Sequence, residues 1–227
     1  MSQRVVAITG GYGALGRAVV EAAQARGLSV AVIGRTPPRQ PNPDVFEING
    51  VDLTDPAQAK TAIEAVVAHY GRLDALLNIA GGFVWSPVEG DGDGDEFDRM
   101  HALNVKTTLN ASRTALPHLK ASPEGRIVNI GANGAIKAGH GMGAYAASKA
   151  GVHRLTEALA EELKSTPVTV NAVLPSIIDT AANRADMPDA DPSKWVAPAD
   201  LAAVILFLAS PEARAVTGAL IPVTGKV

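Results

Sequence analysis

The chain has 227 residues, 47% of them hydrophobic, and twenty basic against twenty-three acidic side chains give a net charge of −3. That length suffices for one substantial core and a single domain spanning 1–227, and no basic run or aromatic-studded basic stripe marks it as a nucleic-acid binder. The absence of cysteine excludes disulfides and thiolate metal sites, and with no charged leader and no apolar stretch of about 18 residues the expectation is a soluble, cytoplasmic protein without a membrane partner.

Short β-branched runs alternate with Ala-rich segments of helical spacing along the whole chain. The first run, Val5–Thr9, leads into Thr9-Gly10-Gly11-Tyr12-Gly13-Ala14-Leu15-Gly16 and then an amphipathic helix from Ala14 to Arg26. A Gly-rich turn between strand and helix lets the backbone approach a pyrophosphate, and the helix N-terminus offers unpaired N–H groups to its charge. Gly runs also serve as plain tight turns, but the position in the first βα unit favours binding through Gly10, Tyr12, Gly13, Ala14, Leu15 and Gly16.

The second predicted strand, Val30–Ile33, ends in Gly34-Arg35-Thr36. An acidic residue at that tip would bond a ribose 2′-hydroxyl, whereas the planar fork of Arg35 suits a 2′-phosphate, so NADP(H) is expected over NAD(H) unless Arg35 is simply a solvated loop charge. The Pro-rich stretch from Pro37 to Pro43 reads as an exposed, mobile connector. After the third run, Val45–Ile48, Asp52 with Leu53 either accepts from an adenine amino group or caps the next helix. The fourth, Ala75–Asn78, runs into Ile79-Ala80-Gly81-Gly82, so that Asn78, Ala80 and Gly81 stand where a flat nucleoside must lie against backbone. Asp91, Asp93, Asp95 and Asp98 lack the distal glutamate of a calcium loop, and no histidine spacing suggests a metal.

The fifth run, Arg126–Ile130, precedes Gly131-Ala132-Asn133, and a helix starting near Met142 carries Tyr145 and Lys149 four residues apart on one face. A phenol near an ammonium and a cationic nicotinamide is acidified by opposite charge and can exchange a proton with substrate. The sixth run, Thr169–Val173, is followed by Pro175, Ile178 and Thr180, of which the Ile178 backbone and Thr180 hydroxyl are placed to hold a nicotinamide amide. Residues 187–198, rich in Pro and containing Trp195, read as a lid ahead of a helix near Ala199, and Ala219–Val223 is the last strand. Near-continuous apolar strands imply burial on both faces: an α/β, doubly wound, Rossmann-type parallel sheet of about seven strands with helices on both faces.

These motifs together resemble the classical short-chain dehydrogenase/reductase family over residues 4 to 225. The resemblance maps its Gly fingerprint onto Thr9 to Gly16, with Ala14 for the middle Gly, its N-x-A-G segment onto Asn78 to Gly81, its Tyr and Lys onto Tyr145 and Lys149, and its relay Asn onto Asn104. It implies Tyr145 as proton donor in hydride transfer between nicotinamide and a small C=O or C=N substrate, and a homo-oligomer, tetramer or dimer. The family's catalytic Ser sits thirteen residues before the Tyr, where this chain has Ala132. Either the substrate needs no such donor, or Asn133 or a water replaces it, or the chain is a weak NADP(H)-binding sensor or interaction protein. Gly13 to Gly16, Ala80 to Phe83, Ala132 and Trp195 are similar to the dihydropteridine reductase branch, which implies a quinonoid dihydropterin-like substrate, although Asn104 and Gly34 depart from that branch. Phe83, Trp85, Ala132, Asn133, His140, Met142 and Trp195 are the expected substrate-side residues; Phe83 and Trp85 equally suit oligomer or core contacts, and His140 an exposed loop.

Overall fold

The structure, a computed structural model, describes residues 3–37, 40–89 and 94–227. Pro38 and Arg39 of the predicted connector, and Asp91 and Asp93 of the acidic loop, lie outside the described residues. Seven strands form one all-parallel sheet: β1 (Val5–Thr9), β2 (Ser29–Ile33), β3 (Phe46–Ile48), β4 (Ala75–Asn78), β5 (Arg126–Ile130), β6 (Thr169–Pro175) and β7 (Leu220–Val223). Their spatial order, β3-β2-β1-β4-β5-β6-β7, reverses direction between β1 and β4. The register there pairs Thr9 with Asn78, so the two strand ends open side by side into the crevice expected at a switch point.

Alternate residues of each strand feed two cores. Val6 and Ile8 of β1 pack under α1 (Ala14–Ala25) and α7 (Pro198–Leu208) through Val19, Leu201 and Ile205. Val5 and Ala7 face α2 (Pro56–Tyr70), α4 (Thr107–Ala121) and α5 (Gly143–Glu162) through Ile63, Val66, Ala115 and Leu159. Burial of both faces explains why the strands read as unbroken apolar runs.

Helix ends follow local chemistry. Asp55 accepts from Ala57 N–H at the start of α2, which ends at Gly71 in the left-handed region (φ 76°), a conformation glycine adopts without steric cost. Between β4 and β5 the short α3 (Asp95–Met100) passes through a π-helical turn, His101–Lys106, into α4. The short α6 (Ala181–Asp186), with Thr180 as its N-cap, lies where no helix is evident from pattern.

Residues 187–198, expected as a lid, are anchored at their C-terminal end. Trp195 is only 7% exposed and Val196 is buried; Val196 bridges to Ile178, and Lys194 O accepts from Lys226 N–H at 2.9 Å. The end of this segment is therefore fastened to the stretch after β6 and to the chain's last turn.

Candidate active site

A cleft of about 550 Å³ runs along the strand ends from Arg35 and Asp52 to Tyr145 and Lys149, a volume within the range of small-molecule and cofactor sites. At two positions its floor is glycine because nothing larger fits. A Cβ on Gly10, which sits at φ +68°, would stand 2.8 Å from Ala80 Cα, and one on Gly16 would stand 2.2 Å from Gly10 O. Helix α1 starts at Gly13 with no side-chain cap, leaving its first N–H groups toward the cleft that Gly13, Ala14, Leu15 and Gly16 line. A long, flat, anionic group fits this cradle.

At the far end Arg35 lies 3.4 Å from Asp52 and both line the cleft. Asp52 Oδ1 also accepts from Thr54 N–H at 3.0 Å and Thr54 Oγ1 at 2.7 Å; these two bonds, with Arg35 adding, hold its carboxyl below the usual range despite some burial. Of the two readings for Asp52, it caps the turn before α2 while Asp55 caps the helix itself, and its second oxygen stays at the cleft. Leu53 lines the cleft as well.

Tyr12 departs from its predicted place. Its ring lies against Gly34, where a Cβ would be 2.4 Å away, and its hydroxyl donates to Asn49 Oδ1 at 2.6 Å. Burial, then Glu47, pushes this phenol up to about 12. The side chain thus braces the end of β2 from outside the cleft.

Asn78 is likewise beneath the cleft rather than in it. Its buried amide donates to Asn129 Oδ1 at 2.9 Å and Ser112 Oγ at 3.0 Å, tying β4 to β5 and α4, whereas Ile79, Ala80, Gly81, Gly82 and Phe83 form the wall. Asn104, in the π-helical turn, grips that wall from both sides. Its Oδ1 accepts from Gly82 N–H at 2.9 Å, while its Nδ2 donates to Gly82 O at 3.1 Å and Ser148 Oγ at 2.9 Å.

Tyr145 and Lys149 both line the cleft, as a shared helix face requires. Lys149 Nζ donates to Ile130 O at 2.8 Å, and burial is what shifts both side chains. Burial pushes Tyr145 up to about 12 and lowers Lys149 to about 8. Four-residue spacing brings the pair to one wall, but side-chain direction there is set by the free carbonyl at the end of β5.

On the nicotinamide side of the expected site, Ile178 lines the cleft and Pro175 closes β6 opposite Val223. Thr180 Oγ1 accepts from Asn183 N–H at 3.1 Å as cap of α6, which leaves its O–H as the group able to donate. Ile178 O is taken by Asn183 Nδ2 at 2.7 Å.

The segments after β4 and before α5 are stapled together: Trp85 Nε1 donates to His140 O at 3.0 Å and Ser86 N to Gly141 O at 2.8 Å. This lays Phe83 edge-on to Tyr145, with ring centroids 4.9 Å apart, and Trp85 beside His140 at 5.6 Å. Phe83 lines the cleft and is 58% exposed, whereas Trp85, 56% exposed, lies against Gly141 outside the cleft lining. Met142 is the N-cap of α5 and half-buried, and Asn133 begins a 3-10 turn. Ala132 and Trp195 are both buried and neither lines the cleft.

The sequence pattern of the short chain dehydrogenase family matches residues 4–191. The chain belongs to the short-chain dehydrogenase family. An uncharacterised oxidoreductase of Staphylococcus aureus (strain USA300) is 28% identical to it over 213 residues, 91% of each chain. Among solved structures, ElxO with NADP bound superposes with a TM-score of 0.90 at 25% identity, over 98% of both chains. The 3-ketoacyl-(acyl-carrier-protein) reductase from Brucella melitensis, complexed with NADH, gives 0.86 at 26% identity over 99% of this chain and 98% of that one. As a member of the family this protein is a nicotinamide-dependent oxidoreductase.

In this short-chain dehydrogenase, no group of three or more potential metal ligands occurs among the described residues, and no helix there is long and apolar enough to cross a membrane. Sequence reasoning missed Leu103, Thr107 and Ile130 in the cleft wall and His153, whose Nε2 accepts the Ala132 N–H at 3.2 Å. The signal for His153 was its place four residues beyond Lys149 and eight beyond Tyr145.

Proposed function

We propose that the protein reduces a small C=O or C=N compound at the expense of NADPH, with Tyr145 giving up the proton. The observation that carries this is the joining of Tyr145, Lys149, the Gly-rich cradle and Arg35 in one continuous cleft. When bound, the nicotinamide cofactor supplies the hydride and, once oxidised, a positive ring. The backbone of Gly10 to Gly16 and the first N–H groups of α1 hold the pyrophosphate, Arg35 takes the 2′-phosphate after releasing Asp52, and Asp52 meets the adenine edge. Gly81 and Gly82, fixed by Asn104, let the nucleoside lie flat, and the Thr180 hydroxyl donates to the amide oxygen. Lys149, released from Ile130 O, binds the ribose and sets a cation near Tyr145, opposing the effect of burial on the phenol. Asn104 supports proton return to Tyr145.

Ala132 favours a particular substrate. Losing a preorganised donor at a developing oxyanion typically costs about 10²–10³ in turnover, a loss that a conjugated C=N system, already electrophilic, avoids. The exposed ring of Phe83 at the cleft wall suits a flat ligand, so a quinonoid dihydropterin-like compound is the substrate of choice. A second reading, a nucleotide sensor without chemistry, rests on the same Ala132 and requires tight NADPH binding with no turnover.

The test is NADPH oxidation against quinonoid dihydropterin and activated ketones. Tyr145→Phe should lower kcat by about 10²–10⁴ while NADPH binding stays intact; unchanged turnover in that variant overturns the assignment. Ala132→Ser should improve ketones at the expense of the imine.

A further inference from the structure

Two side chains of α5 grip the end of β5 on either side of Gly131. Lys149 Nζ donates to Ile130 O at 2.8 Å, and one helical turn later His153 Nε2 accepts from Ala132 N–H at 3.2 Å. Tyr145, Lys149 and His153 follow at i, i+4 and i+8 and so share one helix face. Gly131 is shaped to the clasp: a Cβ there would stand 2.5 Å from His153 Nε2 and 2.7 Å from its Cδ2. Only a bare backbone admits the imidazole at this depth, where His153 is 3% exposed.

The bond has a defined polarity. An Nε2 that accepts an amide proton belongs to a neutral ring with its own proton on Nδ1. Burial first, then the charges of Arg154 and Lys149, holds His153 below its ordinary pKa. Both cations come from α5; the β5 and β6 residues meeting here, Gly131, Ala132 and Leu174, bring no titratable group. A buried Ala132 N–H without this acceptor would be left unpaired, at a cost comparable to a lost hydrogen bond.

We infer that His153 is a positioning residue: by holding the Ala132 N–H it fixes the turn of Ala132 and Asn133 against the helix that carries Tyr145. The inference rests on the reductase reading above. With a methyl group at position 132, this turn has no hydroxyl to anchor or orient it, so once Lys149 has left Ile130 O for the ribose its distance from Tyr145 is set through the backbone at Ala132 N. Protonation reverses the polarity, because a charged ring would point an N–H at an N–H and the clasp would open.

The experiment compares His153→Leu, which removes the acceptor, with His153→Gln, whose amide oxygen can accept. Leu should lower kcat roughly 10–100-fold, the scale of about a 1 Å misplacement, with the NADPH Kd unchanged, and Gln should restore most of it. The wild-type kcat should also fall on the acid side through a group titrating below about 6.5, and that limb should vanish in Gln. Wild-type kcat in Leu, a Gln variant as impaired as Leu, or a Gln variant that keeps the acid limb overturns the proposal. If Leu does not fold, the Gln pH profile decides alone. If the wild type turns over no substrate of the panel, the reductase reading fails separately, and the clasp is then judged by hydrogen exchange of the Ala132 amide: protected in wild type and Gln if the clasp exists, equally labile in all forms if it does not.

Discussion

Replacing Arg35 by Ala should erase the preference for NADPH over NADH. Arg35 is an exposed side chain, 73% accessible, 3.4 Å from Asp52, so its interactions are those of charges near bulk water. At that separation and a water-like dielectric, one unit pair is worth about 1.2 kcal/mol, and a doubly charged 2′-phosphate in the place of Asp52 about 2.4 kcal/mol. Exchange of the carboxylate for the phosphate therefore gains about 1.2 kcal/mol, or roughly eightfold in Kd. Arg35→Ala loses that eightfold for NADPH and leaves NADH within about twofold. Asp52→Asn removes the competing charge but keeps Oδ1 for Thr54; it weakens both coenzymes alike at the adenine edge and should raise the NADPH:NADH preference by a similar factor. Nicotinamide fluorescence titrations at low and at about 0.5 M salt measure all of these, with high salt compressing the differences. An NADPH:NADH ratio unchanged in Arg35→Ala, or a preference for NADPH that falls in Asp52→Asn, would refute the argument.

Two further predictions concern stability. Asp74 is fully buried and accepts from Val5 N–H at 2.8 Å, Ser122 Oγ at 2.7 Å and the Arg72 guanidinium at 2.6 Å. Burial raises its pKa, but the bonds to Arg72, Ser122 and Val5 outweigh it and leave the carboxyl below its ordinary value. A depressed folded pKa means that this stabilisation is complete above the unfolded value of about 3.9 and is lost as pH falls through the folded one. Asp74→Ala should cost about 3–5 kcal/mol near pH 7 and flatten the acid limb of a Tm-versus-pH curve; an unaltered limb would show that Asp74 does not set it. In the cradle, a Cβ at Gly13 meets only Gly10 O at 3.5 Å, whereas at Gly16 it meets that oxygen at 2.2 Å. Gly13→Ala should therefore keep its Tm and Gly16→Ala should lose about 1–3 kcal/mol together with coenzyme affinity, as calorimetry and titration would show; equal behaviour of the two would discredit the cradle geometry.

The strands were legible because burial on both faces demands unbroken apolar runs, and Val5–Thr9, Ala75–Asn78 and Arg126–Ile130 coincide with observed elements to the residue. The start of α5 at Gly143 lies one residue beyond the expected Met142. By contrast α6 was not legible, since six residues capped by Thr180 carry too little periodicity, and the π-helical turn leaves no mark in a pattern read at 3.6 residues per turn. The burial of Trp195 and Val196 was not legible either, because Val196 pairs with Ile178 and Lys194 O with Lys226 N–H, contacts between segments apart in the chain. Tyr12 and Asn78 stand in the right motifs, yet their side chains answer to Gly34, Asn49, Ser112 and Asn129.

Sequence by itself determined the order of strands and helices, the glycines at which backbone must pass close to backbone, and the shared helix face of Tyr145 and Lys149, because each depends on neighbours within a few residues. Tertiary structure alone decided what those side chains touch. Lys149 turns to Ile130, His153 meets Ala132, Asp52 faces Arg35 and burial governs the Tyr145 phenol, since each depends on distances between segments that only the packed sheet brings together.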